Sequence, residues 1–326
     1  MALDRLIKNI LEKKNPTVAG LDPKLDYIPD YIKEQAFQEH GCTLEGAAQA
    51  LLTFNKGLID ALCDIVPAVK VQVAYYEMYG PAGMEVYEKT IRYAHEKGLI
   101  VMADVKRNDI GATAACYANA YVGKTDMPDG AQAAFGADIA TINPYLGVDG
   151  IKPFTDACRD NGTGVFVLVK TSNPSSGQLQ DMRFEDGRTL YQAVADLVET
   201  WGEETRGESG YSAVGAVVGA TYPQQGIELR AHAACVLPRA GLWRSGREGN
   251  GHRGLLRRER QRRDCQRLPV DPLRVEKARG HGLRRGGARG SVAHEGRPCE
   301  QPRGRRQGHP VRRDGHAGYD RARAQL

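Results

Sequence analysis

Leu99-Ile100-Val101-Met102-Ala103-Asp104-Val105-Lys106-Arg107-Asn108-Asp109-Ile110-Gly111 decides how the rest of the chain reads. Four apolar residues lead into a polar stretch, the pattern of a buried strand. Side chains alternate along a strand, so Asp104 and Lys106 share a face and Asp109 falls just past the strand's end. Two carboxylates around one ammonium suit chemistry in which negative charge develops on a substrate atom and a proton is then delivered to it. Taken alone, Asp-x-Lys-x-x-Asp is equally a surface ion pair at a strand terminus. Its neighbours in the chain separate the two readings.

On both sides of this stretch, strand-like apolar runs alternate with helical patterns. Strands are predicted at 17–22, 66–73, 99–106, 137–143, 165–171 and 213–221, and helices at 44–63, 83–97, 113–121, 148–160 and 190–201. Several strands are nearly continuous Val, Ile, Ala and Leu, as a parallel sheet covered on both faces requires. A doubly wound sheet would carry a glycine-rich phosphate loop after its first strand, but that strand ends Gly20-Leu21-Asp22-Pro23, with no such loop in the body. Polar residues instead recur at successive strand ends: Asp22, Lys70, Asp104 with Lys106, Asn143, and Thr171 with Ser172. That is the arrangement of a (β/α)8 TIM barrel, whose active sites occupy the carboxyl-terminal face. Six strands leave it two short of closure.

Charge divides the chain into two expected parts, 1–230 as barrel and 231–326 as a low-complexity tail. Residues 231–326 hold 1 Lys and 23 Arg against 9 acids, a net of +15, while residues 1–230 carry −10, which together give the overall +5. From Ala231 onward there is no Ile, Phe, Met or Thr. No apolar period can offset the entropy of ordering there, so the tail is expected to be disordered. Six of the eight histidines and Cys235, Cys265 and Cys299 lie in it without metal-finger spacing. Cys42, Cys63, Cys116 and Cys158 read as buried thiols of a cytoplasmic protein, and neither a secretory leader nor a membrane span is expected.

Five strand-end motifs then carry a resemblance. Gly20-Leu21-Asp22-Pro23, Val69-Lys70-Val71-Gln72, Ala103 to Gly111, Thr141-Ile142-Asn143-Pro144-Tyr145-Leu146-Gly147 and Lys170-Thr171-Ser172-Asn173-Pro174 together resemble the orotidine 5'-phosphate decarboxylase family in its longer bacterial form, over about residues 1 to 230. The resemblance implies a dimeric barrel that needs no cofactor or metal. It would convert orotidine 5'-monophosphate to uridine 5'-monophosphate and carbon dioxide, a step of de novo pyrimidine biosynthesis. Lys70, Asp104, Lys106 and Asp109 look like the family's Lys-Asp-Lys-Asp array. On that likeness Lys106 protonates the carbon that loses carboxylate and Asp104 faces the departing group. Asp109 and Thr113 reach the partner subunit's site, Asp22 and Lys70 hold ribose hydroxyls, and Thr171 and Ser172 lie against the pyrimidine. Read singly, Asp22 before Pro23 is better read as opening a turn, Asn143-Pro144 marks a loop, and Thr171 and Ser172 can cap the next segment. Lys70 in an apolar strand is different, because a buried lysine needs partners.

Past Thr221 the family's pattern fails. A seventh strand ending Val-Pro-Gly, a glutamine-bearing loop, an eighth strand and an arginine should build the phosphate site; Cys235 to Glu248 stands there instead. The Arg, Gly, Ala and Pro enrichment is what GC-rich triplets encode out of frame, and Leu-Val-Pro-Gly-Tyr codons displaced by one base in GC-rich DNA can give a string like Pro238 to Leu242. The tail is therefore expected to be a frameshifted reading, and the chain as written to have little or no activity. Two alternatives remain: a magnesium-dependent sugar-phosphate decarboxylase or aldolase-like barrel, and an arginine-rich nucleic-acid-binding protein. The expected partners are the small-molecule substrate and a second copy of the chain, with no nucleic acid and no membrane.

Overall fold

The computed structural model describes residues 1–219, Gln225, Gly226, Leu229 and the backbone of Arg239–Ala240. Its strands are β1 (Val18–Leu21), β2 (Ala68–Gln72), β3 (Ile100–Arg107), β4 (Ile139–Ile142), β5 (Gly164–Lys170), β6 (Val214–Gly219) and β7 (Arg239–Ala240). All are parallel and pair in chain order, as a curled part-barrel. The six expected strands are present. The difference is β7, two residues paired as Val218↔Arg239 and Gly219↔Ala240 inside the segment read as featureless. The disorder and frameshift expected for the rest of 231–326 lie outside the described residues.

Strand alternation sorts the core into two layers. Val69 and Val71, Val101 and Ala103, Ala140 and Ile142, Val165 and Val167, and Val214 and Ala216 face outward into the large core under the helices. Ala68, Ile100, Met102, Ile139, Phe166 and Val217 face inward. Both faces are dry, which is why these strands are apolar runs and not alternating ones.

The covering helices are α1 (Ala2–Lys13), α2 (Asp30–His40), α3 (Leu44–Leu62), α4 (Ala74–Glu77), α5 (Gly80–Glu96), α6 (Gly111–Tyr121), α7 (Val148–Asn161), α8 (Gly177–Gln180) and α9 (Leu190–Gly202). Thr43 caps α3 by accepting from the Gly46 amide at 3.1 Å, and Thr189 with Gln192 forms a capping box on α9. Helices α1 and α2 were not expected. Leu3, Leu6 and Ile10 make a helical stripe on α1, which packs beneath the inward residues and closes the amino-terminal end of the strand layer. Burial of the four cysteine thiols holds for Cys158 alone, whose thiol is pushed up to about 12 by burial. Cys42 and Cys116 are exposed and Cys63 is half-buried, because they sit at helix ends or on outward helix faces.

Asp138, just before β4, ties this end together. Its carboxylate accepts from Arg5 Nη2 of α1 at 2.7 Å, His95 Nε2 of α5 at 2.8 Å and the Val101 amide of β3 at 2.8 Å. Burial alone would push this carboxyl up, but the His95 and Val101 hydrogen bonds and the His95 and Arg5 charges outweigh it and hold it below the usual range. A depressed folded-state pKa contributes stability above the unfolded value, about 3.9, that is lost as pH falls through the folded value. Asp138→Asn is therefore expected to cost about 2–3 kcal/mol near pH 7 and to flatten the acid limb of stability. Urea melts between pH 3 and 7 check this; a variant as stable as the parent at pH 7 would remove Asp138 from the account.

Candidate active site

Inward positions are apolar at the amino ends of the strands and polar at the carboxyl ends. Along β2 the inward series runs Ala68, Lys70, Gln72, and along β3 it runs Ile100, Met102, Asp104, with registers Lys70↔Met102 and Gln72↔Asp104. Asp22 follows the end of β1, whose Gly20 pairs with Lys70. One short stretch of rim therefore holds Asp22, Lys70, Gln72 and Asp104.

Asp104 is the hub. Its Oδ1 accepts from Lys106 Nζ at 2.5 Å and Thr141 Oγ1 at 2.8 Å. Its Oδ2 accepts from Gln72 Nε2 at 2.8 Å and Lys70 Nζ at 3.2 Å. Four donors meet the four lone-pair sites of a carboxylate, so its orientation is fixed. Lys70 Nζ also reaches Asp22 Oδ1 at 3.0 Å, which completes an alternating row Asp22, Lys70, Asp104, Lys106. The side chain of Asp104 is 10% exposed while that of Lys106 is 45% exposed, so the carboxylate is the buried anchor and the ammonium the accessible group.

The electrostatics follow from this row. Burial alone would raise the Asp104 carboxyl, but the charges of Lys70 and Lys106 and the hydrogen bonds from Lys106 and Thr141 hold it below the usual range. Burial alone would lower the Lys70 ammonium, and Asp104 and Asp22 raise it above its ordinary value instead. Each charge is kept by its neighbours. A lone buried ion would instead neutralise.

The end of β3 is irregular. Ala103 pairs with Ala140 and Arg107 with Ile142, so the register shifts between them, and Lys106 adopts φ 48, a left-handed conformation unusual for lysine. Arg107 holds the strand's end by donating to the Val105 carbonyl at 3.1 Å, pairing with Glu77 and lying over Tyr117 and Tyr121. Beyond it, Asn108 packs against α7 where a Cβ on Gly150 would lie 2.4 Å from its Oδ1, so any larger residue there would have to displace the Asn108 side chain.

The remaining residues singled out in the sequence are not in this row. Asp109 Oδ1 accepts from the Ile110 amide at 2.7 Å, and no hydrogen bond or ion pair joins it to Lys106 or Asp104 among the described residues. Thr113 is exposed on the first turn of α6. At the end of β5, Thr171 is held by Gln180, which accepts from its amide at 2.9 Å and donates to its Oγ1 at 2.8 Å; Ser172 beside it is exposed. Lys170, fully buried, donates to Asp181 at 2.7 Å and anchors the same loop. Asn143 Oδ1 accepts from the Tyr145 amide at 3.0 Å, a turn bond. Gln72 and Thr141 stand inside two of the quoted motifs but were given no role there. Gln72 could have been assigned one as the next inward polar residue after Lys70; Thr141 read by itself is an ordinary strand residue.

Among the described residues no cluster of three or more His, Cys, Asp or Glu side chains is arranged to hold a metal ion, and no helix is long and apolar enough to cross a membrane. Residues 52–265 match the orotidine 5'-phosphate decarboxylase / HUMPS family. The chain belongs to that family. A curated orotidine 5'-phosphate decarboxylase of Rhodopirellula baltica is 45% identical over 221 residues, 68% of this chain and 71% of the relative. One from Caldicellulosiruptor bescii is 42% identical over 227 residues, 70% of this chain and 74% of the relative. Among solved structures, the Leishmania donovani OMP decarboxylase superposes with a TM-score of 0.54 at 31% identity, covering 71% of this chain and 76% of its own. The family match takes in β2 to β7, and so the Lys70, Asp104 and Lys106 row.

Proposed function

We propose that this site decarboxylates orotidine 5'-monophosphate to uridine 5'-monophosphate and carbon dioxide, a step of pyrimidine biosynthesis. The observation that carries the reading is the buried Asp104 carboxylate clamped between two ammonium groups at the strand ends, in a chain of this family. A substrate carboxylate set beside Asp104 is repelled, and the repulsion eases as carbon dioxide leaves neutral, so the contact favours the transition state. When the carbon–carbon bond breaks, its electron pair stays on the ring carbon. Lys106 attracts that developing carbanion and then gives it a proton. Asp22 and Lys70 hold ribose hydroxyls, and Thr171 and Ser172 lie against the pyrimidine. The magnesium-dependent and nucleic-acid-binding alternatives find no support in the relatives described above.

The same reading makes the working unit a cytoplasmic homodimer in which Asp109 and Thr113 enter the partner subunit's site. Its support is that Asp109 stands apart from its own row, next to exposed Ile110 (55%) and close to the exposed Val148 (53%). Ile110 and Val148 line one groove between α6 and α7. Covering these side chains with a second copy would remove apolar surface from water at the point where Asp109 is needed.

The full chain incubated with carboxyl-labelled orotidine 5'-monophosphate is expected to release labelled carbon dioxide and uridine 5'-monophosphate in equal amounts, unchanged by EDTA. Loss of turnover on chelation would transfer the site to the magnesium-dependent alternative. Turnover is expected to be weak, because residues past Thr221 depart from the family's phosphate-binding pattern and remote binding energy drives the close approach of the two carboxylates. We infer that residues 231–326 are the frameshifted reading described above, which sequencing the gene across codons 225 to 240 checks. Replacing residues 222–326 by the corresponding segment of the Rhodopirellula baltica relative is expected to raise kcat/KM at least about 100-fold. Equal values would mean that the segment as it stands supplies the grip.

A further inference from the structure

We propose that Thr141 is a positioning residue, whose single hydroxyl joins the irregular backbone of β3 to the Asp104 carboxylate and so aims both Asp104 and Lys106. The inference rests on the decarboxylase reading of this site.

From Ala103 to Arg107, β3 advances four residues while β4 advances two, from Ala140 to Ile142. The surplus is taken up around Lys106 and its left-handed φ of 48. Such a conformation persists in a lysine only when its surroundings over-determine it. What determines it is Thr141 Oγ1, which accepts from the Val105 amide and from the Lys106 amide, both at 3.0 Å.

A hydroxyl has two acceptor lone pairs and one proton. With two amides on the lone pairs, the proton has one destination, Asp104 Oδ1 at 2.8 Å. The direction of every bond is thereby settled. Thr141 can donate to Asp104 only while Asp104 is an anion or presents a free lone pair, and it can hold the β3 turn only while it accepts. One side chain thus supports the backbone under the proton donor and the orientation of the carboxylate that Lys106 touches at 2.5 Å. The bland account is that Thr141, 7% exposed, merely fills space in β4, where valine would serve as well.

Three variants separate the accounts: Thr141→Val and Thr141→Ala, which lack the hydroxyl, and Thr141→Ser, which keeps it. In the full chain the first two are expected to lower kcat about 100-fold through misplaced reacting groups. KM for orotidine 5'-monophosphate should change less than about threefold, and Thr141→Ser should stay within about fivefold of the parent. Independently of turnover, the Asp104 carboxyl followed by carbon NMR against pH is expected to titrate higher in Thr141→Val and Thr141→Ala than in the parent or Thr141→Ser. Lys70 on β2, Asp22 after β1 and Lys106 on β3 are the charged groups facing Asp104 and are unaltered throughout, so the shift isolates the hydroxyl. A folded Thr141→Val or Thr141→Ala with parental kcat or an unshifted titration overturns the proposal, as does Thr141→Ser falling as far as Thr141→Val. A chain carrying the Rhodopirellula baltica segment in place of residues 222–326 that releases no carbon dioxide overturns the decarboxylase reading instead, and the titration still decides whether Thr141 holds Asp104.

Discussion

Lys106→Ala, in a chain carrying the Rhodopirellula baltica segment in place of residues 222–326, is expected to lower kcat by at least 10²–10⁴-fold, the range that a positioned proton donor typically contributes, while KM for orotidine 5'-monophosphate changes little. The asymmetry follows from where the ammonium stands. Lys106 touches Asp104 Oδ1, whereas Lys70 bridges Asp22 and Asp104 on the other side. Removing Lys106 takes away the group that attracts and protonates the carbanion, and leaves the ribose-facing pair in place. It also strips Asp104 of one of the two charges that keep its carboxyl low, so the variant's Asp104 is expected to titrate higher than the parent's. Steady-state kinetics with a nucleotide-binding measurement checks both parts. A variant that keeps more than about a hundredth of the parental kcat would mean that the proton comes from elsewhere.

Mixing Lys106→Ala with Asp109→Asn, each inactive alone, is expected to restore activity from the background to about a quarter of the parental value. In a two-fold symmetric dimer with shared sites, a mixed pair combines one chain's intact Lys106 with the other chain's intact Asp109 at one site, and both defects at the other. Half of the dimers are mixed at random assortment, and half of their sites are whole. The prediction depends on Asp109 lying outside its own chain's row, as it does, with its Oδ1 occupied by the Ile110 amide. Subunit exchange followed by native mass spectrometry, with activity measured in parallel, provides the check. If mixed dimers form and nothing is recovered, Asp109 acts in its own chain's site.

The strands were legible because strands buried on both faces cannot hide: Val214–Gly219 is apolar at every position except its glycines, and no amphipathic helix reads that way. Lys70 was legible for the opposite reason, since an ammonium in the middle of an apolar strand must find carboxylates, and it found Asp22 and Asp104. Helix α1 is not among the predicted helices, although its stripe Leu3, Leu6, Ile10 has helical spacing and was there to be read. α2 had less to show, burying Ile32 and Ala36 alone among its large and small apolar residues. Thr141 was beyond local pattern. Its task exists only because β3 slips register against β4, and a slip is a property of two strands together. Cys116 was misplaced because helix membership does not say which face a residue takes, and Cys42 because it stands in the exposed bend before α3.

The plug formed by α1 sets an order on synthesis. Leu3 and Leu6 share a cluster with Ala68, Ile100, Met102, Ile139, Phe166 and Val217, so α1 leaves the ribosome before every strand it packs on, and the burial of its stripe is complete only when the sixth strand exists. At typical elongation rates that wait is roughly 10–40 s, long beside the microseconds in which the helix itself forms. During that interval Leu3, Leu6 and Ile10 present a short amphipathic ribbon to the cell, a natural grip for a chaperone that binds nascent chains.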